Sequence, residues 1–180
     1  VTYGAGGSTQ AGTLELVTRL SQIYEQRVVA HLTCVGATKS DLIELIQIYK
    51  ENKMFHILAL RGDIPKNFSK DRLVSPDFKY AIDLLKWLRK IGGFSSIGVA
   101  CYPEGHPETS DFEKDIHFFS EKVHAGADYA ISQFFFESKV WESFLEYSLK
   151  KNISIPLIPG ILPIRDIDQT IRFAKQCGSS

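Results

Sequence analysis

The chain has 180 residues, of which 44% are hydrophobic and 23% are charged. These proportions are typical of a globular domain with a sizeable core. Twenty-one basic residues balance twenty-one acidic residues, so no net charge attracts the protein to nucleic acid or to an anionic membrane. No apolar run reaches the roughly 18 to 20 residues that span a bilayer. The composition therefore favours small-molecule partners.

The cysteines and the amino end indicate the compartment. Cys34, Cys101 and Cys177 are odd in number, widely spaced and without a CxxC pair, which argues against a disulfide framework or a structural zinc. The amino end has no basic-then-apolar signal pattern. We therefore expect a cytoplasmic protein. The chain begins at Val1 rather than Met, which is typical of a fragment.

Apolar runs typical of strands alternate with amphipathic segments typical of helices. The strand-like runs are VTY from Val1, VVAHLTC from Val28, MFHILAL from Met54, SIGVACY from Ser96, YAISQFFF from Tyr129 and ISIPLIPGI from Ile153. The helical segments start near Thr13, Asp41, Lys79, Phe112, Val140 and Asp166. Thr38 and Asp41 together predict an N-terminal cap, and Gly126 predicts the end of the helix before it.

This alternation predicts an α/β fold in which helices cover a parallel sheet. Each βα unit takes about 30 residues, so eight units need about 240. We therefore predict a (β/α)8 TIM barrel in a single catalytic domain, residues 1–180, of which this chain covers about six central βα units and is truncated at both ends. A doubly wound open sheet is the alternative, but the GAGGS stretch at Gly4 lacks its GxGxxG spacing.

Polar residues follow nearly every predicted strand. In a barrel, the loops at the carboxyl ends of the strands converge and form the ligand site. The residues at these ends are Thr2 and Tyr3, His31 and Thr33, Arg61 to Asp63, Tyr102, Glu104 and His106, Gln133, and Pro159 and Gly160. We therefore predict that these side chains form one binding site.

Each of these residues also has a purely structural interpretation. His31 could be a core histidine that is satisfied by a backbone carbonyl. Glu121 and Lys122 lie on an amphipathic segment, where charged residues usually form a solvated face. The YPEGHPE loop could bind a metal, but it has neither HxH nor HExxH spacing. We therefore expect no metal.

Six motifs occur together in order along the chain: VTYGAGGST, HLTC, LALRGD, YPEGHPE, GADYAISQFFF and PGILPI. In sequence and spacing they resemble the methylenetetrahydrofolate reductase family over all 180 residues. The resemblance implies a barrel that binds FAD at the carboxyl ends of its strands. It also implies a ping-pong reaction in which NADH or NADPH reduces the flavin, which then reduces 5,10-methylenetetrahydrofolate to 5-methyltetrahydrofolate.

The resemblance also implies roles for individual residues. Those that match FAD contacts are Thr2, Tyr3, Ala5, His31, Arg61, Gly62, Asp63, Ala81, Tyr102, His106, Asp115 and Lys122. Those that match contacts to the folate or the nicotinamide are Thr2, Gln133 and Gln169. Asp63 and Gln133 are the expected catalytic residues. Phe118 and Glu121 depart from the polar or basic cofactor contacts of some members.

The resemblance further implies that the family's proton-donating glutamate lies before Val1 and that a folate-binding arginine lies after Ser180. We also expect a homo-oligomer. Two other functions fit the sequence: a barrel that binds flavin or folate without turnover, and a metal-dependent hydrolase centred on Glu104, His106 and Glu108. A visible absorption spectrum separates these possibilities, because only bound flavin absorbs there and only a reductase bleaches it with NAD(P)H.

Overall fold

A computed structural model describes residues 18–20, 28–63, 77–109 and 111–179. The chain divides into two compact units, Val1–Val99 and Ala100–Ser180. The strand predicted from Val1 and most of the first predicted helix lie outside the described residues, although residues 18–20 are helical. Within the described ranges, no helix has both the length and the apolar composition that crossing a membrane requires.

The first unit alternates parallel strands with helices, as the sequence predicts. Its elements are β1 (Val29–Thr33), α1 (Lys39–Glu51), β2 (His56–Leu60), α2 (Ala81–Ile91) and β3 (Ser96–Cys101), whose last two residues belong to the second unit. In the parallel ladders, Val29 lies opposite His56, and His56 lies opposite Ser96. Chain order and strand order are therefore the same in this unit.

Burial in the first unit follows the period of each element. In β1, Ala30 and Leu32 are buried while the residues between and beside them are half-buried. In α1, the buried residues Leu42, Ile46 and Tyr49 recur every three or four positions, which places them on one helical face. These residues form the core between strand and helix.

The predicted helix signals are confirmed. Thr38 and Asp41 form a capping box at the start of α1, in which each side chain bonds the backbone of the other residue. Such a cap satisfies backbone amides that have no partner within the helix. Gly126 follows α3 (Phe112–His124) with φ of 103°, a backbone conformation that glycine adopts without steric cost.

The second unit continues the alternation after β3. Its elements are α3, β4 (Tyr129–Phe134), α4 (Ser138–Lys150), β5 (Leu157–Gly160) and α5 (Ile167–Cys177). β4 and β5 pair in parallel, with Ala130 opposite Leu157.

The sixth strand starts four residues later than the sequence predicts, at Leu157 instead of Ile153. The Ile153 amide donates to the Ser148 carbonyl and so completes the end of α4. Pairing with β4 begins at the Pro156 carbonyl, which accepts a hydrogen bond from the Ala130 amide at 2.9 Å. Ile153, which precedes that point, therefore belongs to the end of the helix.

Stacked aromatic rings form the core between α3 and α4. Phe144 is 1% exposed and stacks on Phe119 with 5.8 Å between ring centroids and on Trp141 with 5.6 Å. Trp141 in turn stacks on Phe135 at 5.5 Å. Aromatic pairs at such distances stabilise a core beyond their buried area.

We predict that Phe144→Ala lowers the free energy of unfolding by about 3 to 5 kcal/mol, because it removes the central ring of this stack and leaves a cavity. The matched control is Leu149→Ala on the same helix. Leu149 is 71% exposed, so its truncation is expected to change stability by no more than about 0.5 kcal/mol. Urea unfolding measures both values, and equal losses would contradict the assignment of the core.

Candidate functional site

In the first unit, backbone hydrogen bonds hold the carboxyl ends of β1 and β2 together beyond the last strand residues. The Cys34 amide lies 3.2 Å from the carbonyls of both Leu60 and Arg61, and the Val35 amide donates to the Arg61 carbonyl at 2.7 Å. The segment from Arg61 to Asp63 therefore leaves the sheet against the end of β1.

Gly62 is required at this point for two reasons. Its φ is 90°, a backbone angle that residues other than glycine rarely adopt. A Cβ atom there would lie 2.7 Å from Val35 Cγ1 and 3.0 Å from Thr33 Cβ. The glycine thus lets the chain pack closely on the end of β1.

Asp63 extends from this fixed backbone into solvent. It is exposed and has no hydrogen bond or ion pair with any residue of the described ranges. An exposed carboxylate on a fixed backbone is available to a ligand. The half-buried Arg61 precedes it.

His31 lies half-buried on β1, opposite Leu58 of β2. Burial lowers its pKa to about 4, so the imidazole is neutral near pH 7. A neutral imidazole offers one nitrogen as a donor and the other as an acceptor.

Ala81 follows Tyr80, whose carbonyl is linked to the end of β1 by Cys34. The Cys34 thiol donates to the carbonyls of Arg61 at 3.7 Å and Tyr80 at 3.9 Å. Burial raises the pKa of this thiol to about 11, so Cys34 acts as a neutral structural donor. Because Tyr80 caps α2, the thiol fixes the start of that helix, at Ala81, beside Arg61.

In the second unit, the loop after β3 presents Tyr102 and His106 together. Their rings meet edge to face, with 4.6 Å between centroids, and a turn closes between the Gly105 amide and the Tyr102 carbonyl at 3.0 Å. The Glu108 amide donates to His106 Nδ1 at 3.1 Å. In neutral His106 the proton is therefore on Nε2.

Asp115 and Lys122 extend from α3 toward this loop. Lys122 Nζ donates to the Ala100 carbonyl at 2.6 Å, so Lys122 does not lie on a solvated face, whereas Glu121 is exposed. Asp115 is 8% exposed and accepts a hydrogen bond from the His106 backbone. Burial raises the pKa of Asp115 and lowers that of Lys122, and the attraction between the two charges opposes both shifts.

Gln133 lies in a bulge near the carboxyl end of β4. Ile131 pairs with Ile158 and Phe134 pairs with Gly160, so β4 has one residue more than β5 between these two pairs. The Phe134 amide donates to Gln133 Oε1 at 3.1 Å. This bond fixes the side-chain amide near the backbone and leaves its NH2 group available as a donor.

Gln133 and the loop after β3 meet at a shallow surface cleft of the second unit, which is too small to enclose a water molecule. It is lined by Tyr102, Pro103, Glu104, Gly105, Gln133, Phe134, Cys177 and Ser179. The end of α5 reaches this cleft because Ser179 Oγ donates to the Phe134 carbonyl at 2.8 Å. No sequence motif indicates Cys177 or Ser179. They lie at the cleft because the end of α5 packs there, which local sequence does not reveal.

Not every predicted site residue reaches these places. Gln169 lies exposed in the first turn of α5, where its backbone amide donates to the Asp166 side chain, and it does not line the cleft. Thr2, Tyr3 and Ala5 lie outside the described residues. Among the residues that the structure describes, no three His, Cys, Asp or Glu side chains form a group that could hold a metal ion.

Comparisons of sequence place the whole chain near one group of enzymes. A family model described as Methylenetetrahydrofolate reductase matches residues 1–180. The 5,10-methylenetetrahydrofolate reductase of Buchnera aphidicola subsp. Schizaphis graminum is 39% identical over 180 residues, which are 100% of this chain and 59% of that protein. The enzyme of the same name from Escherichia coli (strain K12) is 36% identical over 174 residues, 97% of this chain and 56% of that protein. The chain thus spans little more than half the length of these relatives.

Comparisons of structure bear on the fold alone, because the sequence identities are low. A 2,3-dimethylmalate lyase has a TM-score of 0.56 at 13% identity, over 96% of this chain and 65% of that one. An uncharacterized Clostridium thermocellum protein, whose description states that it binds 5-methyl-5,6,7,8-tetrahydrofolic acid, has a TM-score of 0.51 at 15% identity, over 100% of this chain and 70% of that one. Part of a (β/α)8 TIM barrel is therefore the fold, as predicted.

We predict that His31 makes the protein less stable as the pH falls from about 6.5 to about 4. In this window the unfolded histidine binds a proton, whereas the folded one, with its pKa lowered to about 4, does not. The free energy of unfolding is expected to fall by less than about 1.4 kcal/mol per pH unit, the full value for one proton, because solvent partly screens the half-buried ring.

Urea unfolding of wild type and His31→Gln between pH 7 and pH 4 measures this contribution. The variant is expected to lose less stability over the window than the wild type. His117→Gln, which removes an exposed histidine on α3, is the control and is expected to follow the wild type. Parallel curves for wild type and His31→Gln would contradict the prediction.

Proposed function

The chain belongs to the methylenetetrahydrofolate reductase family, and from this premise we propose that it provides FAD and folate contacts of an NAD(P)H-dependent reductase. The reaction is the reduction of 5,10-methylenetetrahydrofolate to 5-methyltetrahydrofolate. NADH or NADPH serves as the hydride donor.

The placement of Gln133 is the observation that carries this proposal. Its amide lines a cleft together with Tyr102 and is fixed by the Phe134 backbone. A carboxamide has both donor and acceptor atoms, so it complements the amide-like edge of a pterin or the carboxamide of a nicotinamide. Both ligands of a ping-pong reaction could thus use the same residue in turn.

The chemistry of the other side chains fits FAD. Lys122 supplies a cation, and Tyr102 and His106 supply aromatic surface and an Nε2 donor in the second unit. In the first unit, Arg61 supplies a second cation and Asp63 supplies an exposed carboxylate. Cations suit the diphosphate of FAD, and a carboxylate or a neutral imidazole suits the polar edge of its ring system.

When bound, FAD would supply the hydride acceptor and donor that amino-acid side chains lack. Asp63 would be one of the residues that hold the ring system, where its negative charge would disfavour further negative charge and lower the reduction potential. His31, neutral near pH 7, would add a hydrogen bond without adding charge. Gln133 would orient the pterin so that its reacting carbon faces the hydride donor.

The proposal is tested on the purified full-length protein, by its visible spectrum and by its two half-reactions under anaerobic conditions. We expect bound flavin that NADH or NADPH bleaches and that 5,10-methylenetetrahydrofolate reoxidises. Flavin that is not bleached would indicate a binding barrel without turnover. A colourless protein with metal-dependent hydrolysis would overturn the proposal.

We predict that Asp63→Asn raises the flavin midpoint potential by about 30 mV, which corresponds to about 1.4 kcal/mol for a two-electron couple. Removing the negative charge makes flavin reduction easier and slows hydride donation to the folate. Fold and flavin binding are expected to persist, because Asp63 is exposed.

The matched control for this prediction is Glu51→Gln. It makes the same change in charge at the end of α1, near the amino end of β2 and so at the opposite end of the strands. Spectroelectrochemical titration is expected to give the control the potential of the wild type. An unchanged or lower potential in Asp63→Asn would mean that Asp63 does not face the ring.

A further inference from the structure

The bulge in β4 places two residues, Ser132 and Gln133, opposite the single residue Pro159 of β5. Proline has no backbone amide to donate, so the amide of Gly160 is the next donor on β5. A bulge interrupts the regular ladder, and other contacts must then determine its shape.

Ser132 provides that contact. Its side-chain Oγ accepts a hydrogen bond from the Gly160 amide at 2.8 Å, and the residue is 7% exposed. This buried hydroxyl accepts the hydrogen bond that a backbone carbonyl would accept in a regular ladder. The bond joins the bulge in β4 directly to the last residue of β5.

Gly160 makes the close approach possible. A Cβ atom there would overlap the Ser132 carbonyl oxygen and lie 3.2 Å from both Gln133 C and Phe134 N. Since these atoms belong to the backbone of the bulge, they cannot move aside without moving Gln133. The path of β5 therefore fits the bulge only when residue 160 is glycine.

Gln133 is the next residue after Ser132, and its orientation depends on this backbone. Its Oε1 accepts a hydrogen bond from the Phe134 amide at 3.1 Å. Ser179 Oγ donates a hydrogen bond to the Phe134 carbonyl at 2.8 Å. If the Ser132 bond is lost, the bulge can relax toward a regular ladder. A shift of one residue in register turns side chains to the opposite face.

We propose that Ser132 is a positioning residue: through its bond to Gly160 it holds the bulge that aims Gln133 into the cleft. The inference rests on the proposed function, since it concerns the residue that would orient the pterin. Ser132 itself does not line the cleft, so it acts through Gln133.

The experiment compares Ser132→Ala with Ser148→Ala. Ser148 is 1% exposed, and its Oγ has no hydrogen-bond partner within the described part of the chain, so the control removes an equally buried hydroxyl without breaking a bond. Rapid mixing of the reduced protein with 5,10-methylenetetrahydrofolate measures the folate half-reaction. We expect its second-order rate constant to fall about fivefold to tenfold in Ser132→Ala and to stay within twofold of wild type in Ser148→Ala.

A double-mutant cycle with Gln133→Ala separates positioning from a general structural effect. If Ser132 acts through Gln133, Ser132→Ala has no further effect on the folate half-reaction once Gln133 is alanine. The same fold-loss in both backgrounds, or no loss in either, would overturn the inference. A wild-type protein that does not reduce the folate would overturn the proposed function, and this inference with it.

Amide hydrogen exchange gives a second measurement if Ser132→Ala does not fold. In the wild-type protein the Gly160 amide is expected to exchange slowly, because it donates a hydrogen bond to Ser132 Oγ, and to exchange still more slowly when folate binds beside Gln133. Folate binding that leaves the exchange of this amide unchanged would overturn the link between the bulge and the ligand.

Discussion

Parallel pairing is the constraint on which each unit depends. A parallel strand cannot be joined to its neighbour by a tight turn, so the chain must return to the amino edge by a crossover. In the first unit α1 makes this return between β1 and β2, and in the second α4 makes it between β4 and β5. Every strand within a unit then ends at the same edge, and the residues that follow the strands share that edge.

Backbone contacts at the strand ends hold the polar side chains in place. The Arg61 carbonyl accepts from the Val35 amide, and Gly62 removes the Cβ that would collide with Val35. In the second unit, Gly160 makes a comparable close approach to the bulge of β4. In both places a glycine lets backbones meet, and the neighbouring polar residue is carried by a segment with little freedom to move.

The sequence predicted those features that depend on neighbouring residues. The alternation of apolar runs and amphipathic segments predicted the five described strands and the helices between them, and local chemistry predicted the cap at Thr38. The late start of β5 was missed, because Ile153 is as apolar as a strand residue, and only its bond to Ser148 assigns it to the helix cap.

Features of the candidate site that depend on distant residues could not be predicted. The bulge at Ser132 and Gln133 arises from the pairing of β4 with a strand whose paired residues lie 27 positions later, as Ile131 with Ile158, and it has no local pattern. The half-buried Lys122 donates its hydrogen bond to the Ala100 carbonyl, 22 residues earlier, whereas an amphipathic helix by itself suggests a solvated lysine. Sequence could therefore identify the polar residues at the strand ends but not the contacts that orient them.

The placement of the Lys122 ammonium group has an energetic cost that its neighbours offset. An ammonium group in a buried environment is destabilising unless it is paired, and here the Ala100 carbonyl and the charge of Asp115 compensate it. A ligand phosphate that used Lys122 would share or displace the bond to Ala100 while gaining the attraction of a cation in a region of low dielectric. Asp115 would then face a second negative group, but its backbone bond to His106 still favours its charged form. The same pair therefore connects α3 to β3 and to the loop after it, and under the proposed function it would also contribute a cation to the bound cofactor.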